Sequence, residues 1–209
     1  MDVAGADHLL ATTRAVRRRL DLDRPVGRET VLDCIRVAVQ APTASNTQTW
    51  RWLAIDDPDT RRQLADLFAE VTVPKIERRR ATNRDPQTAR VYDSALYLTQ
   101  ILDRVPVLVV PCVVGRPDGP KAMPAAAFYG SIFPAVWSFQ LALRARGLGS
   151  VLTTPFAGEL DQQYRSILDL PATMTPVAML PVAYTIGVDF KPAKRPPVET
   201  ITRWNRWSD

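Results

Sequence analysis

Apolar residues recur every three to four positions over much of the chain, which is the spacing of helices with one buried face. The pattern predicts helices over residues 7–13, 29–41, 58–71, 91–102, 128–146 and 159–168. Asp57 followed by Pro58 is typical of a helix start. Pro42 ends the preceding helix, because a residue before proline disfavours helical geometry. The helix over 128–146 is apolar on nearly all sides, which indicates a central position or a subunit contact.

Shorter apolar runs predict strands over residues 50–55, 106–115, 150–153 and 177–187. Pro111 is expected to mark an irregularity or an edge position in its strand, because proline cannot donate to a strand ladder. Helices and strands do not alternate strictly along the chain, which favours an α+β fold over a doubly wound one. The segment from Lys75 to Thr88 is polar and shows no clear period, and we interpret it as a mobile segment or a lid.

The chain has 209 residues, of which 46% are hydrophobic, so its length and composition suit one domain with a real core. We expect a single domain over 1–209, with an extended basic tail from about residue 189. The net charge of +5 suits an anionic small ligand or weak nucleic-acid affinity, and does not choose between them. The sequence shows no leader-like segment and no membrane-length apolar run, so we expect a soluble, cytoplasmic protein without a membrane partner.

The residue types argue against several kinds of catalytic site. Two cysteines, Cys34 and Cys112, and one histidine make a Cys/His zinc site implausible, so no metal is expected. The sequence contains neither a phosphate-binding loop of the GxxxxGK[ST] type nor a GxSxG nucleophile motif. His8 has no obvious partner and is interpreted as a surface residue. A bound cofactor would therefore carry any difficult chemistry, and no catalytic side chain is predicted.

An arginine-rich segment from Thr13 to Arg18 is the first of three candidate binding motifs. Guanidinium groups bind phosphate through paired, charge-assisted hydrogen bonds, and alternate arginines of a turn can reach one anion. A solvated basic face would show the same run of residues. The segment alone leaves both interpretations open.

The other two motifs carry small polar residues and glycines. The loop from Ala41 to Trp50 contains Asn46 and Gln48, whose side-chain amides both donate and accept hydrogen bonds and suit a heteroaromatic ring or a ribityl chain. The segment from Gly147 to Pro155 has glycines that allow the backbone to approach a flat ligand closely. Each motif also fits a simpler description, as a helix-to-strand loop and a helix C-cap respectively.

These motifs, followed by a basic one near the C-terminus, resemble the FMN-binding nitroreductase family. Members of that family carry R-S-x-R, then A-P-S-x-x-N-x-Q-P-W, then G-L-G-S after a long helix, and K-R-x-P-x-E near the end. This chain has Arg14-Ala15-Val16-Arg17, Ala41 to Trp50, Gly147-Leu148-Gly149-Ser150 and Lys194 to Glu199 in the same order. Each motif is weak alone, but four in order at family-like spacing are a strong resemblance.

The resemblance implies an α+β fold with a central, mostly antiparallel sheet flanked by helices, in an intertwined homodimer with two FMN molecules at its interface. It also implies that NADH or NADPH supplies electrons and that a nitroaromatic, quinone or related small molecule accepts them in a ping-pong mechanism. The residues implied to bind FMN are Arg14, Ala15 and Arg17 at the phosphate, joined by Lys194 or Arg195; Pro42, Thr43, Asn46 and Gln48 at the ribityl chain and ring; and Leu152, Thr153 and Thr154 beside the isoalloxazine.

The chain departs from the family pattern at several positions, among them Ala15 in place of serine and Thr49 in place of proline. None of these changes removes the phosphate contacts, but they leave the substrate open. A non-catalytic flavin carrier or a flavin-consuming enzyme on the same fold is the alternative. Nucleic-acid binding is supported only by the basic balance and the run Arg78-Arg79-Arg80, without interleaved aromatic residues, so no nucleic-acid partner is expected.

Overall fold

The computed structural model describes residues 2–118, 123–156 and 160–207 of the chain. Helices account for much of the described chain, and several begin at a capping residue or a proline. The Asp57 side chain accepts a hydrogen bond from the Thr60 backbone amide at the start of one helix, and the Asp85 side chain accepts one from the Thr88 backbone amide at the start of the next. The helices are α1 (Val3–Thr12), α2 (Arg28–Ala38), α3 (Pro58–Thr82), α4 (Pro86–Ile101), α5 (Ala125–Gly130), α6 (Phe133–Ala145) and α7 (Asp161–Ile167).

A central sheet is built around one long apolar strand. The strands are β1 (Trp50–Ile55), β2 (Val107–Val114), β3 (Leu148–Ser150), β4 (Met174–Pro176) and β5 (Leu180–Tyr184), in the order β1-β2-β5-β3 with β4 also paired to β2. All strand pairs in the described chain are antiparallel. The α+β fold with a mostly antiparallel sheet, predicted from the sequence, is confirmed.

Pro111 lies inside the central strand β2, where its missing amide would interrupt a regular ladder. On one side of β2 the partner strand changes at this point, from β5 beside residues 107–109 to β4 beside residues 112–114. The Pro111 carbonyl accepts a hydrogen bond from the Val177 amide at 3.0 Å. Pro111 therefore marks an irregularity, as predicted, but not a sheet edge.

The alternation of side chains along β2 divides the hydrophobic core into two layers, because successive residues of a strand face opposite sides of the sheet. Leu108, Val110 and Cys112 face a layer formed mainly by α3 and α4. Val107, Val109 and Val113 face a layer formed mainly by α2 and α6. Helices therefore flank the sheet on both faces.

The predicted helix over 128–146 is two helices, α5 and α6, separated by Ser131 and Ile132. Pro134 lies in the first turn of α6, where its missing amide removes no helical hydrogen bond. By length and composition alone, the stretch Ala125–Ala145 is apolar enough to cross a membrane, but half of its most apolar window is buried in the fold. This burial also fits the core helix of a folded domain.

The polar segment from Lys75 to Thr88, in which the sequence shows no clear period, is mostly helical. Helix α3 continues through Pro74 to Thr82, and α4 begins at Pro86 after a short turn. The helical period was hidden because only Ile76 is buried between Lys75 and Thr88. Whether this region moves as a lid stays a prediction.

Other element boundaries also differ from the sequence-based prediction, among them the end of α2, which lies at Ala38 rather than at Ala41. The first helix is capped by Asp2 rather than Asp7, whose carboxylate was the expected cap. The strand expected over 150–153 is β3, two residues earlier. The strand expected over 177–187 is β5, which is shorter at both ends, and the separate strand β4 ends before residue 177. The two strand errors arise in short elements, where pairing with neighbouring strands decides the boundary.

Candidate functional site

The arginine-rich segment runs along the edge of the sheet beside β3. The Val16 amide donates to the Ser150 carbonyl at 2.9 Å, and Ala15 and Leu20 form bridges with Ser150 and Thr185. Val16 and Leu20 are buried, 5% and 3% exposed, and join the core layer under α3 and α4. These apolar anchors leave the intervening arginines on the surface side of the segment.

Arg17 points toward α4 and is only partly exposed. Its Nη1 donates to Ser94 Oγ at 3.4 Å, and no carboxylate lies within ion-pair distance of it in the described ranges. Burial lowers the pKa of the Arg17 guanidinium below its ordinary value. A partly desolvated cation without a counter-ion is unfavourable, so the position favours an anionic ligand.

Arg14 points away from Arg17 and toward the C-terminal tail. Its Nη1 donates to the Lys191 carbonyl at 3.1 Å. The tail is also held by Arg19, which donates to the Ile186 carbonyl at 2.8 Å and pairs with Asp189 at 2.6 Å. The two ends of the sequence therefore meet at Arg14.

The basic pair predicted to complete this group, Lys194 and Arg195, lies three to four residues beyond that contact. Both residues are exposed, and Arg195 Nη1 donates to the Lys194 carbonyl at 3.3 Å. Within the described ranges neither has a hydrogen bond to Arg14 or Arg17. Their part in phosphate binding stays a prediction.

A cavity of about 180 Å³ lies between Arg17, α3, α4 and the segment after β3. Thr153 and Thr154 line it together with Arg17, so two of the predicted binding motifs share one space. The Thr153 hydroxyl donates to the Met179 carbonyl at 2.6 Å, which leaves the Thr153 oxygen as an acceptor. Leu152, predicted beside them, is 37% exposed and does not line the cavity.

The loop from Pro42 to Gln48 has a strained backbone. Ser45, Asn46 and Gln48 have φ of 51°, 53° and 49°, in the left-handed region that costs energy for residues other than glycine. The side-chain Nε2 of Gln48 donates to Asn46 Oδ1 at 2.8 Å, and the backbone amide of Gln48 donates to Thr43 Oγ1 at 3.2 Å. Such strain is concentrated at functional sites, which is consistent with a binding loop.

This loop packs against α5, where the Ala44 amide donates to Ser131 Oγ at 2.9 Å. Pro42, Asn46 and Gln48 are exposed, and Thr43 is partly exposed. Among the described residues, no hydrogen bond joins the loop to the arginine-rich segment or to Thr153 and Thr154. One chain therefore presents two separate groups of predicted binding residues.

Two further cations, Lys75 and Arg79, line the cavity beside Arg17 and were not predicted from the sequence. Both are exposed residues of α3, in the region interpreted from the sequence as a mobile segment or a lid. Their spacing in the sequence could have indicated a shared position, because residues four positions apart lie on the same side of a helix.

The glycines of the third motif are explained by packing within the chain. A Cβ on Gly149 would lie 2.6 Å from Thr185 Cγ2 and 2.9 Å from Val16 Cγ2, so the close approach at Gly149 is to protein and not to a flat ligand. Gly147 has φ of 76° directly after α6, which is the C-cap geometry that favours glycine.

A model of the nitroreductase family matches residues 10–184 of the chain, from within α1 to the last residue of β5. The chain belongs to the nitroreductase family. The resemblance inferred from the four motifs is therefore confirmed, while the tail lies beyond the matched residues.

Relatives within the family have different activities. An iodotyrosine deiodinase of Danio rerio is 25% identical over 77% of this chain, and the chain spans 54% of that relative's length. An NADH dehydrogenase of Thermus thermophilus is 28% identical, with 91% of each chain covered. A crystal structure of an iodotyrosine deiodinase bound to FMN and 3-iodo-L-tyrosine superimposes with a TM-score of 0.71, at 25% identity over 95% of this chain and 98% of the other.

Proposed function

We propose that the protein is an FMN-dependent oxidoreductase that moves electrons from NADH or NADPH to a small-molecule acceptor such as a nitroaromatic compound or a quinone. The observation that carries the proposal is the position of Arg17, a partly buried cation with no carboxylate partner among the described residues, at the wall of a cavity shared with Thr153 and Thr154. The family supports it, as does the FMN bound in the iodotyrosine deiodinase structure.

The residues present fit FMN in their chemistry. Arg14 and Arg17 supply cations for the phosphate, and Ala15 offers backbone only, because it lacks the hydroxyl of the family's usual serine. Asn46 and Gln48 supply amide donors and acceptors for the ribityl chain and the ring. The Thr153 oxygen is an acceptor for a ring N–H, since its own proton is bonded to Met179.

Bound FMN would supply the redox chemistry, namely the acceptance of a hydride and the release of two electrons. The chain itself binds and orients the cofactor and the substrates, and it excludes water from them. Phe68, which is 5% exposed, and Pro155 give the cavity apolar walls. In this proposal no side chain acts as an acid or a base.

A homodimer is part of this proposal, because the strained loop and the arginine-rich segment lie apart within one chain. In an intertwined pair the loop of one protomer would meet the arginines of its partner. The exposed apolar side chains Trp137 on α6 and Trp204 and Trp207 in the tail, which are 42%, 85% and 75% exposed, are suited to burial against a second copy.

The test is turnover by the purified protein. It should be yellow, and it should oxidise NADH or NADPH only when an acceptor such as menadione is present, with the parallel double-reciprocal lines of a ping-pong mechanism. A flavin carrier would bind FMN but show no acceptor-dependent oxidation. A flavin-consuming enzyme would lose its absorption as the reaction proceeds.

Reductive deiodination is a second candidate, favoured by the similarity to iodotyrosine deiodinases in both sequence and structure. It would use the same cofactor site with a different acceptor. Iodide release from 3-iodo-L-tyrosine by the reduced, FMN-loaded protein is the discriminating measurement. Turnover of menadione with no iodide release would remove this candidate.

A further inference from the structure

Lys75 and Arg79 form a cationic pair on the cavity side of α3. They are four residues apart and therefore lie on one side of the helix. Both line the cavity that contains Arg17, Thr153 and Thr154. Arg78, between them in sequence, does not line it.

The pair is not neutralised by the protein. Within the described ranges, neither Lys75 nor Arg79 has a hydrogen bond or ion pair from its side chain, whereas the neighbouring Arg80 pairs with Asp93 at 3.2 Å. No aspartate or glutamate lines the described part of the cavity. Clefts lined by one sign of charge attract ligands of the opposite sign.

Apart from the cations and three threonines (Thr72, Thr153 and Thr154), the cavity wall is apolar. Phe68, Ile76 and Leu98 are buried, with exposures of 5%, 8% and 1%, and all three line the cavity. A ligand that satisfies both surfaces has an apolar body and an anionic group. A neutral nitroaromatic compound or quinone would leave the two cations without a partner.

We propose that Lys75 and Arg79 bind an anionic group, a carboxylate or phosphate, on the molecule that exchanges electrons at this site. The proposal rests on the proposed function, in which Arg17 is used by the FMN phosphate and the α3 pair remains for the substrate. The anion is carried either by the acceptor or by the phosphates of the dinucleotide donor. If the acceptor carries the anion, the acceptors of the enzyme are negatively charged molecules with an apolar body.

The experiment compares Arg79→Gln with Arg78→Gln in the FMN-loaded protein, since these variants remove the same charge from adjacent positions of α3. The acceptors are 4-nitrobenzoate and nitrobenzene, which differ by one carboxylate. Losing a charge-assisted hydrogen bond should raise the KM for 4-nitrobenzoate by about tenfold or more in Arg79→Gln. The KM for nitrobenzene should not change, and Arg78→Gln should behave as the wild type.

The donor arm of the experiment measures the KM for NADPH and NADH with nitrobenzene as acceptor. An increase confined to the donor in Arg79→Gln would support the proposal and assign the anion to the dinucleotide. Equal effects on 4-nitrobenzoate and nitrobenzene, equal effects of both substitutions, or no effect in either arm would overturn it.

Failure of the proposed function is recognised separately. Absence of FMN uptake, or of turnover with neutral nitrobenzene, would contradict the oxidoreductase itself. In that event, equilibrium dialysis of 4-nitrobenzoate against the purified protein still tests the anion site. Retention by the wild type and by Arg78→Gln but not by Arg79→Gln supports the site, and equal retention by all three overturns it.

Discussion

At the scale of single residues, the arginines of the segment from Thr13 to Arg18 extend in different directions. Arg14 and Arg17 were expected to hold one phosphate together, yet Arg14 reaches the tail at Lys191 and Arg17 reaches Ser94 on α4. Their direction depends on Val16 and Leu20, whose burial sets the orientation of the segment. Lys75 and Arg79 were not predicted because two cations four residues apart form no recognisable motif. They can be placed on one side of a helix only when that helix is known.

Gly149 offers a residue-scale test of the packing between β3 and the arginine-rich segment. Gly149→Ala would place a Cβ 2.6 Å from Thr185 Cγ2. Such overpacking should destabilise the protein by about 1–3 kcal/mol, measured by urea unfolding. Gly130→Ala is the control, because a Cβ there meets nothing within 4 Å. Equal stability of the two variants would contradict this explanation of the glycine.

The two cysteines are expected to be chemically inert in the folded protein. Both are fully buried, and burial raises the pKa of the Cys112 thiol to about 12 and that of Cys34 in the same direction. Because the thiolate is the reactive form, neither should react with Ellman's reagent at pH 8, whereas both should react after unfolding. Rapid reaction of the native protein would show that one of these thiols is accessible.

At the scale of elements, the sequence was most informative where local signals agree with tertiary structure. The strand Trp50–Ile55 and the start of α3 at Asp57-Pro58 are confirmed. The region from Lys75 to Thr88 was misread because α3 continues through Pro74 with little buried surface, so the helical period is lost. The two helices α5 and α6 were read as one because their shared apolar face continues across the break at Ser131.

Pro74 interrupts the hydrogen bonding of α3 directly before Lys75. Its exposed side chain would be replaced by alanine without crowding, and the new amide would restore a bond to the Glu70 carbonyl. Pro74→Ala should therefore raise the free energy of unfolding, by up to about 3 kcal/mol. The control is Pro86→Ala at the start of α4, where proline is tolerated and the effect should be small. A less stable Pro74→Ala variant would mean that the interruption itself is needed for packing.

At the scale of the whole molecule, the fold class followed from the order of elements, and the structure and the family both confirm it. The assembly does not follow from one chain. The strained loop at Pro42 to Gln48 and the arginine-rich segment contact different parts of the fold. The loop packs on α5, whereas the arginines lie beside β3 and the tail. Sequence motifs predict membership of a site without showing which protomer supplies each part.

Complementation between two damaged chains tests the proposed sharing of sites. One chain would carry Arg14→Gln with Arg17→Gln, and the other Asn46→Ala with Gln48→Ala. If each site combines the arginines of one protomer with the loop of its partner, a mixed dimer retains one intact site and binds flavin there. Flavin binding no better than in either mutant homodimer would show that both groups act within the same chain.

Equilibrium titration of the purified protein with FMN, followed by quenching of flavin fluorescence, tests the central claim most directly. The wild type should take up FMN saturably, and the Arg17→Gln variant should bind it more weakly by about tenfold or more, because that cation has no carboxylate partner within the described chain. Arg18→Gln is the matched control, since Arg18 stacks on the Tyr97 ring at 4.9 Å and does not line the cavity. A protein that takes up no FMN, or an Arg17→Gln variant that binds FMN as tightly as the wild type, would contradict the account.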